Sequence, residues 1–475
     1  MSFNSIVFIW IFLPSVILGY LILSIKPVFS IQNVFLILAS LLFYSWGDME
    51  SLPFLLSVTA FSWLGGIILS KVRKKTIVLF FFISCLIGCL LFYKYWNFFI
   101  LQINNIFHVS VQVRESWAPL GISFILFQSV SYLADTYKGK IQADKNPVGV
   151  ALYITFFPQL ITGPIVRYTD VKSQLYNRKV SLESAKYGIK RFIRGLGKKV
   201  ILADCMGHIV DTILSFDPSK WGSLFAWIVL IGYSLQIYYD FSGYTDMALG
   251  LGKAFGFVLP ENFNLPYMSE SIQEFWRRWH ITLSSWFRDY VYIPLGGNRK
   301  GNLRTYINLS AVFFLTGLWH GADWNFIFWG MWHGTFMLAE RLFLGKYLKK
   351  SPCKGLNYLY TVFVVFTGWM FFRISSAGTV FSLLKLLFIP TPVSNDISLY
   401  YFINPYTISM LFLGILLCGP LQYFLLEIKK TICRDKKIYQ RTSYWGTGIL
   451  YSIILIYSLT QVVSSTYSAF IYQQF

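Results

Sequence analysis

The sequence predicts an all-α, polytopic integral membrane protein, with roughly 11–12 transmembrane helices joined by re-entrant or interfacial helices. Three observations lead there. Of 475 residues, 55% are hydrophobic and 19% aromatic while only 13% are charged, which leaves too little polar side chain to cover a water-soluble globule. Apolar stretches such as residues 6–25, 31–46, 77–93, 221–238 and 411–426 approach the roughly 20 residues needed to cross about 30 Å of hydrocarbon. Within them Leu and Phe recur without a period of two, whereas barrel strands alternate over about ten residues, so the backbone must satisfy itself as helix.

The first apolar stretch is preceded by Met1-Ser-Phe-Asn-Ser5, which lacks a basic leader, and no small-residue cleavage site follows, so it is expected to stay as a membrane helix. The net charge of +20 would suggest nucleic acid if it were gathered on one surface. Instead the Lys and Arg cluster at 71–75, 167–199, 341–354 and 429–441, between apolar spans. By the positive-inside rule those loops are cytoplasmic and face lipid headgroups, with no nucleic-acid partner. Counting spans between them puts both termini outside. No internal repeat and no long linker interrupts the pattern, so residues 1–475 read as one integral domain, its motifs concentrated in 117–345.

Two interfacial helices are expected. In 167–199, ten Lys or Arg accompany Ile189, Phe192, Ile193, Leu196 and Val200 at three- and four-residue spacing, the pattern of an amphipathic surface helix. A second runs over 270–290, with Ser269 to cap it and Glu270 and Glu274 in its first turns. On that helix Trp276, His280, Leu283 and Phe287 share one face. Pro and Gly gather at 158–164, 260–266, 294–297 and 317–321. Irregular backbone at membrane depth is tolerated where it is buried in protein or lines a wet cavity, so these breaks predict a thinned, water-accessible centre.

The six cysteines include no Cys-x-x-Cys pair, which argues against disulfides; Cys353 and Cys433 adjoin lysines, where lipidation is conceivable. There is no His-Glu-x-x-His, no paired-histidine metal spacing and no Gly-x-Ser-x-Gly elbow, so neither metal nor serine-nucleophile chemistry is expected. The histidines carry the chemistry. His108 and His208 sit in ordinary surroundings, and His333 reads as structural on its apolar helix. His320 ends an apolar helix at Trp319-His320-Gly321 and is followed by a turn and Trp324, a position from which an imidazole can face a cavity and exchange a proton near neutrality.

The middle of the chain resembles the membrane-bound O-acyltransferase family, in its bacterial alginate O-acetylation branch. The resemblance is carried by residues 119–124, Ser131, Tyr132, Asp135, 157–167, 240–247, 260–267, 275–284, 286–290, 293–299 and 317–321. Beyond Lys350 it loosens, holding chiefly at 368–373. It implies an enzyme of the bacterial cytoplasmic membrane that draws on a cytoplasmic acyl donor for an extracytoplasmic acceptor. The family's catalytic histidine maps onto His320 as the base, and a second functional histidine onto His280, which either orients the acceptor or stabilises the oxyanion. Donor or substrate contacts are expected from Arg277, Arg278, Trp319, Trp324, Asn298 and Arg299, although Arg277 and Arg278 also suit headgroup snorkelling. No permanently bound cofactor or metal is implied. The donor expected is acetyl-CoA, with a carrier protein's phosphopantetheine thioester as the alternative. The partners expected are the bilayer, an exported polysaccharide and an extracytoplasmic acetyltransferase of the SGNH-hydrolase type. The run 293–299 favours polysaccharide acetylation over teichoic-acid D-alanylation, and a transporter or flippase is the reading from a different class. Since the span count sets His320 near the outer end of its helix, a cytoplasmic donor requires a thin bilayer there.

Overall fold

The computed structural model describes residues 1–475 apart from 27, 115–116, 403, 425–435, 465–469 and 472–475. Among the described residues every regular element is helical. Among the described residues six helices are long and apolar enough to cross a membrane: Phe29–Gly47, Leu52–Lys71, Lys75–Phe107, Ser223–Ala254, Lys354–Arg373 and Gly446–Ser464. Phe8–Leu23, Ala377–Leu386 and Pro405–Leu417 are shorter apolar stretches. Other helices of the interior, Ile122–Tyr137, Asn302–His320 and Trp324–Ala339, are too short or too polar to qualify by composition, because they carry Gln128, Asp135, Asn308, His320, Asn325 and His333 into buried positions. A hydropathy count alone therefore does not locate every helix at membrane depth. The basic stretch 429–441 and Cys433 lie in large part outside the described residues.

The chain divides into two compact units, Met1–Phe192 with Tyr244–Glu261, and Ile193–Gly243 with Asn262–Ile471. In the first, the helix Ile122–Tyr137 is buried on nearly all sides, its polar Gln128, Ser129, Ser131 and Asp135 included, and packs against Leu52–Lys71 and Lys75–Leu90. Close approach there depends on small residues: a Cβ on Gly66 would lie 2.7 Å from Tyr132.

The basic segment 167–199 departs from one amphipathic helix. It forms Tyr168–Tyr176, where the Asp170 carboxylate accepts from the Arg167 N–H, and then Leu182–Gly197. Two of its cations turn inward. Arg178, 6% exposed, donates to the Tyr20 hydroxyl and to Asn33 Oδ1, both at 2.7 Å, and lies 4.7 Å above the Phe257 ring. Lys199, 2% exposed, pairs with Asp204 at 2.7 Å and Asp240 at 2.8 Å. Sequence periodicity reports which face is apolar; it does not report that a cation on that face has found polar partners.

Candidate active site

The 270–290 segment is two helices, not one. Ile272–Arg278 is capped by Ser271, whose hydroxyl accepts from the Glu274 N–H at 3.1 Å. Ser269 does not cap it; its hydroxyl donates to the Pro266 carbonyl. The first helical N–H groups, of Ile272 and Gln273, donate to the Glu340 carboxylate at 2.6 and 3.0 Å. Glu340 also accepts from the Tyr360 hydroxyl at 3.2 Å. A buried carboxylate at a helix N-terminus satisfies donors that the helix itself leaves open. Replacing Glu340 with alanine should strip partners from the buried Ile272 N–H, the part-buried Gln273 N–H and a part-buried phenol, lowering stability by about 1–3 kcal/mol. The thermal midpoint in detergent reads this, and an unchanged midpoint would mean that water substitutes for the carboxylate.

The helix stops at Trp279, and His280 adopts φ +43° and ψ +53°, a left-handed conformation that costs a side chain with a Cβ about 1–2 kcal/mol. The helix Ile281–Phe287 then begins. Because of this break, Trp276 and His280 do not share a face: Trp276 packs on His333, with ring centroids 5.2 Å apart, whereas His280 meets Phe241 edge-on at 4.7 Å. The break is held from outside by the 262–264 segment. The Ile281 N–H donates to the Asn262 carbonyl and the Asn264 N–H to the Arg278 carbonyl, each at 3.0 Å. The Asn262 side-chain oxygen lies 3.1 Å from His280 Nδ1 and accepts from the Thr282 N–H at 3.2 Å and the Thr282 hydroxyl at 2.9 Å.

His320 is the last residue of Asn302–His320. Gly321 follows with extended backbone, and a Cβ there would sit 2.2 Å from the Phe326 ring, so only glycine lets the chain turn this tightly into the helix Trp324–Ala339, which Asp323 caps. The two helices touch backbone to backbone: a Cβ on Gly330 would lie 2.4 Å from the Phe313 carbonyl oxygen and 3.0 Å from Gly317 Cα. Such small-residue crossings let helices approach until their side chains interlock.

Aromatic rings surround the imidazole of His320, which is 3% exposed. Its centroid lies 4.7 Å from Trp319, 4.7 Å from Trp329 in an edge-to-face arrangement, and 5.2 Å from Phe372. His280 lies 6.2 Å from Trp319. Trp319 is thus a neighbour that the two histidines share, and the structure brings His280, Trp319 and His320 together from sequence positions 40 residues apart.

The other expected site residues are elsewhere. Arg277 is exposed. Arg278 pairs with Glu274 at 2.7 Å, one turn back on the same helix. Trp324 is 49% exposed at the start of its helix, unlike the buried Trp319. Asn298 and Arg299 are exposed in the turn before the helix Asn302–His320, shaped by positive φ at Gly296 and Gly297 and tied down where Asn308 Nδ2 donates to the Gly297 carbonyl at 3.0 Å. His320 is at the other end of that 19-residue helix, about 27 Å along its axis.

His333 is fully buried beside Phe275, Trp276 and Trp329, and among the described residues neither ring nitrogen has a hydrogen-bond partner. Asn262 and Glu340 were not marked as site residues by the sequence. Asn262 lies within the Pro260–Tyr267 run, and its only sequence signal is an amide between two prolines, a place where side chains bond to local backbone.

The arrangement suits proton transfer: two imidazoles held by packing around one indole, in a low-dielectric surround where each polar contact is stronger than in water. Known proteins agree with an acyl-transfer chemistry. The model of the membrane-bound O-acyltransferase family matches residues 73–383. A probable alginate O-acetylase of Azotobacter vinelandii is 40% identical over 396 residues, covering 82% of this chain and 78% of that protein. The peptidoglycan O-acetyltransferase of Helicobacter pylori is 37% identical over 420 residues, 81% and 79% of the two chains. The teichoic acid D-alanyltransferase of Bacillus subtilis is 30% identical over 238 residues, 47% of this chain and 59% of that one.

Proposed function

Since this chain belongs to the membrane-bound O-acyltransferase family, we propose that it moves an acetyl group from cytoplasmic acetyl-CoA toward O-acetylation of an extracytoplasmic polysaccharide, with His320 as the base. The chain is an O-acyltransferase embedded in a membrane. The observation that carries the finer reading is the convergence of His280 and His320 on Trp319, in a chain aligned over most of its length with a probable alginate O-acetylase and a peptidoglycan O-acetyltransferase.

In the reaction the acceptor hydroxyl gives its proton to His320 as its oxygen attacks the thioester carbonyl carbon. The tetrahedral intermediate then expels the thiolate, breaking the C–S bond and leaving the ester C–O bond in place. His320 returns the proton to the thiolate sulfur, so the products are the acetyl ester and free coenzyme thiol. A well-placed imidazole contributes roughly a hundred- to ten-thousandfold. Holding donor and acceptor in reacting geometry supplies the larger share, on the order of 7–11 kcal/mol. His280 orients the acceptor or stabilises the oxyanion. Arg277 and Arg278 draw the donor's phosphates toward the membrane surface, and Asn298 and Arg299 meet the parts of the donor far from the thioester. The acetyl group passes to an SGNH-hydrolase-like partner outside the cytoplasmic membrane, with both termini of the chain on that side.

D-Alanylation of teichoic acid from a carrier-protein thioester is the second reading. The D-alanyltransferase relative aligns with 47% of this chain, against 82% for the alginate enzyme, which favours acetyl transfer. Purified protein in liposomes distinguishes them. Labelled acetyl-CoA should be consumed, with release of free coenzyme thiol and deposition of label on polysaccharide or partner. Consumption of a D-alanylated carrier protein alone would overturn the acetyl reading.

A further inference from the structure

We infer that Asn262 is a positioning residue that holds His280 in its Nδ1–H tautomer, so that neutral His280 serves the reaction through Nε2 as a hydrogen-bond acceptor for the incoming alcohol and not as an oxyanion donor. This rests on the reading above that His280 takes part in the transfer, and it chooses between the two roles left open there.

Two donors from Thr282 fix the chemistry of one atom. The backbone N–H of Thr282 points at the Asn262 side chain at 3.2 Å and the Thr282 hydroxyl at 2.9 Å. An amide nitrogen has no lone pair to accept a backbone N–H, so the atom facing Thr282 is the carbonyl oxygen and the amide cannot be flipped. The same oxygen lies 3.1 Å from His280 Nδ1. A neutral imidazole carries one proton. Opposite an oxygen that only accepts, that proton belongs on Nδ1, and the lone pair belongs on Nε2.

The ring has little freedom to escape this arrangement. Asn262 and His280 are both 0% exposed. The left-handed backbone at His280 is clamped by the bonds from Ile281 N–H to the Asn262 carbonyl and from Asn264 N–H to the Arg278 carbonyl. Phe241 meets the ring edge-on at an interplanar angle of 81°. The left-handed turn therefore has a chemical use: it takes His280 off the helical face occupied by Trp276 and presents its Nδ1 side to the Asn262 oxygen.

An acceptor at Nε2 suits an incoming alcohol that brings a second O–H or N–H donor: that donor bonds His280 Nε2 and sets the orientation, while the reacting hydroxyl gives its proton to His320. Neutral His280 has no N–H left with which to bind an oxyanion.

The test uses the full chain in nanodiscs, labelled with 15N in its histidine rings. The sequence has five histidines, and His280→Gln identifies the signals that belong to this residue. At neutral pH the expected result is a protonated Nδ1 and a bare Nε2 for His280. In Asn262→Leu the two tautomers should mix, and acetyl transfer should fall on the order of 10- to 100-fold, the size of effect seen when the outer partner that fixes a metal-ligating histidine's tautomer is removed. Asn262→Asp keeps an oxygen in the same place and should restore the Nδ1–H form and most of the activity. A wild-type signal showing Nε2–H overturns the proposal, as does an unchanged tautomer in Asn262→Leu. If the tautomer is as expected but His280→Gln transfers acetyl at the full rate, the tautomer assignment stands and the participation of His280 in the reaction is overturned instead.

Discussion

Acetyl transfer by His320→Gln should fall by roughly a hundred- to ten-thousandfold, the contribution of a positioned general base, while binding of acetyl-CoA stays close to that of the unaltered protein. Glutamine matches the length and polarity of histidine but cannot accept a proton at neutral pH, so the substitution separates the base from the shape of the site. Its folding consequence should be modest. The ring's contacts with Trp319, Trp329 and Phe372 are packing contacts of a kind that a side chain of similar volume partly preserves. Single-turnover transfer from labelled acetyl-CoA, alongside a thermal melt, checks both halves. A variant that melts normally and transfers acetyl at the original rate would remove His320 from the mechanism. One that fails to fold is replaced by His320→Asn, for which the same loss of transfer is expected.

Gly330→Val should disrupt the site from within the fold without touching either histidine. The added Cβ alone would lie 2.4 Å from the Phe313 carbonyl oxygen, and backbone on the opposing helix cannot swing aside as a flexible side chain does. Overpacking of this kind costs typically 1–3 kcal/mol and sometimes more; a β-branched residue at a backbone-to-backbone contact belongs at the upper end, about 3 kcal/mol or above. The helix Trp324–Ala339 also supplies Trp329, so moving it changes the rings around His320. The expected outcome is a markedly lower melting temperature together with lost activity. Gly330→Ala should show the same changes in smaller degree. Full stability and activity in the valine variant would mean that the helices separate at no cost and that the glycine crossing does not set the site.

Several features were legible in the residues themselves. The helical class and membrane setting follow from composition and the absence of a two-residue period, because lipid leaves the backbone few ways to satisfy its own hydrogen bonds. His320 could be singled out by a helix end, a glycine and flanking tryptophans, and the structure shows why each is there: Gly321 turns against Phe326 and Trp319 packs between the histidines' neighbourhoods. By contrast, Trp324 had the same sequence signal as Trp319 and ended 49% exposed. Spacing along a chain gives direction only while the helix continues, and between these two tryptophans it stops.

Composition and short-range period were therefore enough to read the solvent, the helices, the basic loops and the residue types suited to proton transfer. Orientation, by contrast, came from the packed chain. The left-handed residue at His280, the Asn262 oxygen that meets its ring, the Glu340 carboxylate that anchors the helix before it, and the burial of Arg178 and Lys199 all depend on partners distant in sequence. The physical reason is that a buried polar group is tolerated only where a complementary one arrives, and a linear pattern records the polar group without recording the arrival.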